Sequence, residues 1–109
     1  MFRHTLSHPK RHCDNSCSSG KGEQCNGRRL TVILYLNEGW QPLHGGQLRL
    51  YPPTCRSPSL TDEIGSALCD VAPIADRLLL FYADFRVPHE VLPAYVPRLA
   101  ITLWYAAHE

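Results

Sequence analysis

The stretch Arg98-Leu-Ala-Ile-Thr-Leu-Trp-Tyr105, close to the C-terminus, decides the fold class. Successive side chains of a strand point to opposite faces, so this stretch has two different sides. The mixed polar side consists of Arg98, Ala100, Thr102 and Trp104. The apolar side consists of Leu99, Ile101, Leu103 and Tyr105, and we expect it to be a core face. A guanidinium flanked by apolar positions needs an anion, so the mixed side predicts an anion-binding site.

Five more strands are predicted upstream, each short and bounded by Gly, Pro or polar residues. They cover residues 29–37, 47–51, 69–74, 77–83 and 88–92. The first has apolar side chains on both faces, which predicts burial on both faces. Gly45-Gly46 is predicted to be a turn or bulge without a chemical role. The polar segments 15–27 and 54–68 are predicted loops. Short strands at steady spacing, without an amphipathic helix, predict an all-β sandwich or jelly roll.

Composition bounds the class of protein. At 109 residues the chain forms one domain at most. Its apolar share of 44% and charged share of 19% are ordinary for a globular protein, which excludes wholesale disorder. A net charge of +1 without a basic stripe argues against a nucleic-acid partner. The longest apolar run, residues 78–83, is far too short to span a membrane.

The cysteines and the N-terminus predict the compartment. The first residues hold no apolar segment typical of a secretory signal. Five cysteines is an odd number, and without a signal we expect reduced thiols. Both observations predict a cytoplasmic or nuclear protein. A zinc site formed by His12 with Cys13, Cys17 and Cys25 is an alternative, although their spacing matches no common zinc motif.

His12 and Asp14 are candidate metal ligands two residues apart. In extended chain their side chains point the same way. Together with His89 they provide two imidazoles and one carboxylate. Such a set, on one face of a metal with other positions open, is the facial triad of non-haem Fe(II) oxygenases. The three residues therefore indicate a candidate iron site.

Simpler interpretations of the same residues stay open. The His-x-Asp pair could be an ordinary surface pair. His89 could be a buried histidine without a ligand. Arg98 could pair with a carboxylate of the chain, either Asp84 or Glu90, rather than with a small anion.

Five stretches closely resemble the prolyl 4-hydroxylases that hydroxylate hypoxia-inducible factor. They are Arg29-Leu-Thr-Val-Ile-Leu-Tyr-Leu-Asn37, Gly45-Gly-Gln-Leu-Arg-Leu-Tyr-Pro52, Asp76-Arg-Leu-Leu-Leu-Phe-Tyr-Ala-Asp84, Pro88-His-Glu-Val91 and Arg98-Leu-Ala-Ile-Thr-Leu-Trp-Tyr105. The resemblance runs from about Arg11 to Tyr105 with the motifs in matching order. A kinship limited to the wider 2-oxoglutarate oxygenase superfamily is the more general alternative.

The resemblance implies a fold, an activity and cofactors. The fold would be an all-β double-stranded β-helix (jelly roll) over residues 11–106, incomplete at the N-terminus, with residues 1–10 unassigned. The activity would be that of a peptidyl-proline 4-dioxygenase, which couples 2-oxoglutarate decarboxylation and O2 to proline hydroxylation in oxygen sensing. The cofactors would be Fe(II), 2-oxoglutarate as co-substrate and L-ascorbate as reductant. The partner would be a proline-containing protein or peptide, such as a hypoxia-inducible transcription factor.

Residue roles follow from the same resemblance. It implies that Fe(II) is bound by His12, Asp14 and His89. Arg98 would hold the distal carboxylate of 2-oxoglutarate, and Tyr35 would share it. The other residues that would contact the co-substrate are Thr102, Leu48 and Trp104. Arg29 would lie near the peptide substrate.

Two alternatives to an active enzyme stay open. Eleven residues precede His12, and counterparts of a first strand and of a second co-substrate tyrosine are missing. The chain could therefore be a truncated, catalytically inactive jelly-roll binding module. A missing strand would leave a sheet edge with unpaired backbone groups. A cupin-like binder of small molecules is the other alternative, and it would not require Arg98.

Overall fold

Six short β-strands make up the fold in the computed structural model, which describes residues 11–15, 27–53, 67–84 and 86–107. The strands are β1 (Arg28–Tyr35), β2 (Leu48–Leu50), β3 (Cys69–Val71), β4 (Leu78–Tyr82), β5 (His89–Val91) and β6 (Ala100–Ala106). Within those ranges the only helical element is a 3-10 turn, Pro42–His44. All six strands that the sequence predicts are present, and each is shorter than expected.

The strands divide between two antiparallel sheets. The major sheet has the order β4-β1-β6, and the minor sheet has the order β3-β2-β5. His12 forms an isolated bridge with His89 and so extends the minor sheet beyond β5. The chain crosses from one sheet to the other several times, as it does in a jelly roll. The predicted all-β fold class is confirmed.

The core lies between the two sheets. Its buried apolar side chains come from both sheets and are Ile33, Tyr35, Leu48, Phe81, Val91 and Ala100. On β1 every second side chain from Thr31 onward is buried, as expected when one face of a strand meets the opposite sheet. Among the described residues, no helix has the length and apolar character needed to cross a membrane.

The outward face of the major sheet corrects one expectation. The apolar side of the last strand was expected to be a core face, but Leu103 is 55% exposed and Tyr105 is 64% exposed. On β4, Leu78, Leu80 and Tyr82 are exposed as well. The described residues form two layers only, so none of them covers this face. For the same reason β1 is fully buried on one face and half-buried on the other.

The outward face of the minor sheet is polar instead. Arg49 forms two hydrogen bonds, of 2.8 and 2.9 Å, with the carboxylate of Asp70 on the neighbouring strand. Tyr51 donates its hydroxyl proton to Glu90. Cross-strand pairs of this kind are typical of a sheet face that meets water. The two outer faces of the molecule therefore have opposite character.

The cysteines depart from the expectation of reduced thiols. Cys13 is disulfide-bonded, while Cys69 is free and exposed. A disulfide sulfur is no longer a thiolate ligand, which removes Cys13 from the zinc alternative. Cys17, Cys25 and most of the predicted loops 15–27 and 54–68 lie outside the described residues.

Candidate metal centre

The structure brings His12, Asp14 and His89 together, with their ligand atoms within 4.8 Å of one another. Oδ1 of Asp14 lies 3.4 Å from Nε2 of His12 and 3.3 Å from Nε2 of His89. Bonds of about 2.1 Å at right angles to one metal would separate two ligand atoms by about 3 Å. The spacing therefore suits a single ion, and the donor set suits iron.

Backbone pairing explains why residues so distant in sequence meet. The amide of His12 donates to the carbonyl of His89, and the amide of His89 donates back, both at 2.8 Å. Asn15, three residues later, is buried and ties the segment to the other sheet. Its backbone amide donates to the carbonyl of Ala83 at 2.6 Å, and its side-chain amide donates to the carbonyl of Arg28 at 2.9 Å. Asp14 is thereby held between the two sheets.

His89 is oriented by its surroundings. It is buried, and its Nδ1 lies 3.0 Å from the carbonyl oxygen of Val87. If Nδ1 carries the proton and donates it to this carbonyl, Nε2 of the neutral ring is unprotonated and points at Asp14. Metal-binding histidines commonly have this arrangement. Phe81 packs edge-on against the ring at 4.9 Å between centroids. The imidazole is therefore prepared for a metal.

Asp14 is oriented by donors to its second oxygen. The hydroxyl of Thr31 donates to Oδ2 at 2.6 Å, and the indole N–H of Trp104 donates to Oδ2 at 3.3 Å. Burial alone would raise the pKa of Asp14, but hydrogen bonds from His12 and His89 in their doubly protonated form, and then from Thr31, hold it well below its ordinary value. Asp14 is thus an ionised ligand whose Oδ1 faces the histidines.

A cavity of about 200 Å³ opens beside the three ligands. Its wall combines both sheets and consists of His12, Asp14, Thr31, Ile33, Leu48, His89, Val91, Arg98, Ala100, Thr102 and Trp104. Four of the five residues expected to contact a co-substrate line it, and these are Arg98, Thr102, Leu48 and Trp104. The mixed polar side of the last strand thus faces the same space as the candidate metal ligands.

Arg98 and Tyr35 form the part of the site suited to a carboxylate. Arg98 is only 5% exposed, and its Nε donates to the carbonyl of Gly46 at 2.7 Å. Its guanidinium carbon lies 5.3 Å from the ring centre of Tyr35. The Tyr35 hydroxyl is fully buried and has no hydrogen-bond partner within bonding distance among the described residues. Burial raises its pKa, although the neighbouring Arg98 acts in the opposite direction. A buried hydroxyl without a partner beside a guanidinium fits a bound carboxylate.

Asp84 and Glu90, the two carboxylates considered as partners of Arg98, form other hydrogen bonds. Asp84 accepts two hydrogen bonds from the guanidinium of Arg86, at 2.9 and 2.8 Å. Glu90 accepts the hydroxyl proton of Tyr51 on the outer face of the minor sheet. Neither carboxylate is among the cavity residues, which favours the anion-site interpretation of Arg98.

Arg29, expected near a peptide substrate, does not line the cavity and is exposed. Its neighbour Arg28 contacts the cavity wall instead, with its guanidinium carbon 3.8 Å from the ring centre of Trp104. A shift in the pairing of β1 with β6 between Arg28 and Leu30 accompanies this contact. Such a bulge changes which side chains share a face. Regular alternation, on which the sequence analysis relied, gives no sign of it.

Three further residues support the site but were not predicted from the sequence: Thr31, Asn15 and Gly46. Thr31 could have been found, because alternation places its hydroxyl on the same face as Tyr35. Asn15 and Gly46 act through hydrogen bonds with residues far away in the sequence, and such contacts leave no pattern in a sequence.

Comparison with known proteins agrees with this geometry. The family model described as 2OG-Fe(II) oxygenase superfamily matches residues 2–106. The prolyl hydroxylase EGLN3 of Mus musculus is 45% identical over 96 residues, which are 87% of this chain and 33% of the relative. The hypoxia-inducible factor prolyl hydroxylase of Caenorhabditis elegans is 46% identical over 81 residues, which are 73% of this chain and 10% of the relative.

Solved structures show the same likeness. A prolyl hydroxylase from Trichoplax adhaerens, in complex with a peptide of the hypoxia-inducible factor oxygen degradation domain, has a TM-score of 0.69 and 42% identity. That match covers 91% of this chain and 37% of the other. A prolyl-4-hydroxylase from Pseudomonas putida has a TM-score of 0.72 and 36% identity, covering 99% of this chain and 49% of the other.

A jelly roll that gathers two histidines and an aspartate beside a buried arginine is typical of Fe(II)-dependent oxygenases. The chain belongs to the 2OG-Fe(II) oxygenase superfamily. Within that superfamily, the resemblance to the hypoxia-inducible factor prolyl hydroxylases is confirmed. The chain spans about a third of the length of the EGLN3 relative it matches.

Proposed function

We propose that this chain is an Fe(II)- and 2-oxoglutarate-dependent dioxygenase that hydroxylates proline in a protein or peptide, in oxygen sensing. One observation carries the proposal: a facial triad and a buried arginine line one cavity, which is what a metal-chelating diacid requires. The names of the similar proteins support the proline substrate.

His12, Asp14 and His89 would hold the metal. The two imidazoles would bind through Nε2, because that atom of each ring faces Oδ1 of Asp14. In His89, Nδ1 also lies against the carbonyl oxygen of Val87. Asp14 would bind through Oδ1, because Oδ2 already accepts hydrogen bonds from Thr31 and Trp104. Three protein ligands would leave the remaining coordination positions for the co-substrate and O2.

The opposite wall of the cavity would bind 2-oxoglutarate. Arg98 would grip the distal carboxylate, and the hydroxyl of Tyr35 would donate to the same group. Thr102, Leu48 and Trp104 would close the sides of the cavity and exclude water. Since the Tyr35 hydroxyl has no partner among the described residues, a carboxylate there would satisfy a buried donor.

Bound iron, 2-oxoglutarate and O2 would supply the oxidising power for hydroxylating an unactivated C–H bond, with succinate and carbon dioxide as the other products. L-ascorbate would keep the metal in its reduced state. The chain itself would position the reactants in a nearly dry cavity. A proline-containing segment such as one from a hypoxia-inducible transcription factor would approach the mouth, where Arg29 or its neighbour Arg28 would contact it.

Residues 11–106 would form this catalytic domain, and the family match over residues 2–106 supports that extent. A cytoplasmic or nuclear location belongs to the proposal as well. Fluorescence microscopy of the tagged chain tests the location, and accumulation in the secretory pathway would overturn it.

Turnover of the purified chain tests the activity. Fe(II), ascorbate, 2-oxoglutarate and a proline-containing peptide are supplied, and succinate and peptide mass are measured. We expect succinate formation together with addition of one oxygen to the peptide. The matched control is the same peptide with alanine in place of proline. No succinate above that control would remove the catalytic claim for this chain.

A second candidate function is an inactive jelly-roll module that binds a partner. The exposed apolar face of the major sheet favours it, because large exposed apolar patches mark contact surfaces. Anaerobic titration with Mn(II) separates the two candidates. Binding that 2-oxoglutarate strengthens supports the enzyme, whereas no metal binding supports the module.

A further inference from the structure

Gly46 lies where the chain passes closest to Arg98. Its φ of +79° belongs to the left-handed region that favours glycine. A Cβ atom at this position would lie 2.9 Å from Cδ and 3.4 Å from Nε of Arg98, and 3.3 Å from Cβ of Ala94. The first of these distances is too short for two carbon atoms, so any side chain at residue 46 would displace the arginine.

Gly46 also accepts a hydrogen bond from the same arginine. Its carbonyl oxygen lies 2.7 Å from Nε of Arg98, in a buried setting. A guanidinium is planar, so a bond to Nε restricts the plane and direction of the whole group. Gly46 therefore determines both how closely the aliphatic part of Arg98 can approach the backbone and how its guanidinium is oriented.

We propose that Gly46 is a positioning residue that sets the reach of Arg98 and so selects a keto acid with a distal carboxylate. This inference rests on the proposed function, in which Arg98 binds that carboxylate. Gly46 itself would touch neither metal nor co-substrate. It gives the Gly45-Gly46 pair, which the sequence analysis treated as a plain turn, a role in the choice of co-substrate.

The variant Gly46→Ala tests the proposal, because its Cβ meets the side chain of Arg98 most closely. Arg98 can move, so we expect the fold to persist while the guanidinium shifts. Gly39→Ala is the matched control. Gly39 has a similar φ of +66°, but a Cβ there meets nothing within 4 Å. The control reproduces the backbone strain of a positive φ without a contact to Arg98.

Binding is measured by anaerobic calorimetry on the full chain loaded with Mn(II). Two ligands are compared: 2-oxoglutarate, and oxalate, which chelates a metal but has no distal carboxylate. We expect the affinity of Gly46→Ala for 2-oxoglutarate to be about tenfold or more below that of Gly39→Ala. The reason is that the charge-assisted hydrogen bond from Arg98 to the distal carboxylate would lose its geometry. Oxalate and Mn(II) binding should be unchanged.

The outcomes distinguish a failure of the proposed function from a failure of the role given to Gly46. If the natural chain binds Mn(II) but not 2-oxoglutarate, the proposed function is wrong. If the natural chain binds 2-oxoglutarate and Gly46→Ala binds it as tightly as Gly39→Ala, only the role of Gly46 is wrong. Equal losses of 2-oxoglutarate and oxalate in Gly46→Ala would also overturn that role, because they indicate general damage.

A double-variant cycle covers the case in which Gly46→Ala does not fold. Arg98→Ala removes both arginine atoms that the new Cβ would meet. In the Arg98→Ala background, Gly46→Ala should lower the melting temperature no more than Gly39→Ala does. If its effect is as large there as in the natural chain, the conflict is not with Arg98 and the proposal fails.

Discussion

His12 and His89 form a hydrogen-bonded cross-strand pair, in which each amide donates to the other's carbonyl at 2.8 Å. Directly opposed residues of an antiparallel pair project to the same side. The two imidazoles consequently lie 4.4 Å apart between ring centres, with a tilt of 56°. The backbone pairing therefore places the two imidazoles side by side, as the proposed metal site requires.

Removing His89 should abolish metal binding while the fold survives. His89→Ala deletes one of three protein ligands and also the ring that packs against Phe81. Anaerobic Mn(II) titration followed by electron paramagnetic resonance should show no saturable site. His44→Ala is the control, because His44 lies outside the cluster and should leave binding intact. Retained affinity in His89→Ala would contradict the site.

Removing the Thr31 hydroxyl should loosen the metal site without changing its ligands. Thr31→Val keeps the shape of the side chain but deletes the 2.6 Å hydrogen bond to Oδ2 of Asp14. Loss of a group that orients a ligand typically costs about tenfold to a hundredfold in metal affinity. Thr31→Ser retains the hydroxyl and should bind Mn(II) nearly as well as the natural chain. Equal Mn(II) affinities of Thr31→Val and Thr31→Ser would show that the hydrogen bond does not contribute to metal binding.

Tyr35→Phe should change stability and ligand binding in opposite directions. The buried Tyr35 hydroxyl lacks a partner among the described residues, so deleting it removes a desolvation cost of about 1–3 kcal/mol. The melting temperature without ligand should therefore stay equal or rise. Affinity for 2-oxoglutarate should fall by about tenfold or more, because the carboxylate loses a donor. A lowered melting temperature with unchanged affinity would refute this role.

The exposed apolar face of the major sheet should influence solubility more than stability. Leu103 is 55% exposed, so Leu103→Lys should change the free energy of unfolding by about 0.5 kcal/mol or less. Static light scattering should show less self-association. Leu48→Ala is the contrast, since Leu48 is only 1% exposed and its truncation should cost about 2–5 kcal/mol. Denaturant titration measures the free energy of unfolding of both variants. Equal losses in Leu103→Lys and Leu48→Ala would contradict the burial pattern.

The Arg49–Asp70 pair should make stability depend on acid pH. Hydrogen bonding to Arg49 lowers the pKa of Asp70 in the folded chain. Its stabilising contribution is therefore complete above the ordinary aspartate pKa of about 4 and is lost as pH falls through the lowered value. The pair is exposed, so the contribution is at most about 1 kcal/mol. Between pH 7 and pH 2 the melting temperature of Asp70→Asn should fall less steeply than that of the natural chain. If both melting temperatures fall equally with pH, the pair is not a cause of the acid dependence.

Several features of the site followed from local pattern. Alternation along β6 placed Arg98, Thr102 and Trp104 on one side, and they do share the cavity wall. The spacing of His12 and Asp14 indicated a common direction, and the structure brings both to His89. The role of Arg29 was implied by the resemblance alone. The bulge near Arg28 leaves no sign in the sequence, although an extra residue in one strand changes the facing of its neighbours.

Side-chain order and chemistry along each strand were determined by the amino-acid sequence alone, because a period of two follows from the extended backbone. Tertiary structure decided which face became interior: the apolar side of β6, expected in the core, is exposed because no described residue packs on it. It also decided the pairing of His12 with His89 and of Gly46 with Arg98. Contacts between residues so distant along the chain depend on how the two sheets pack, which no local pattern records.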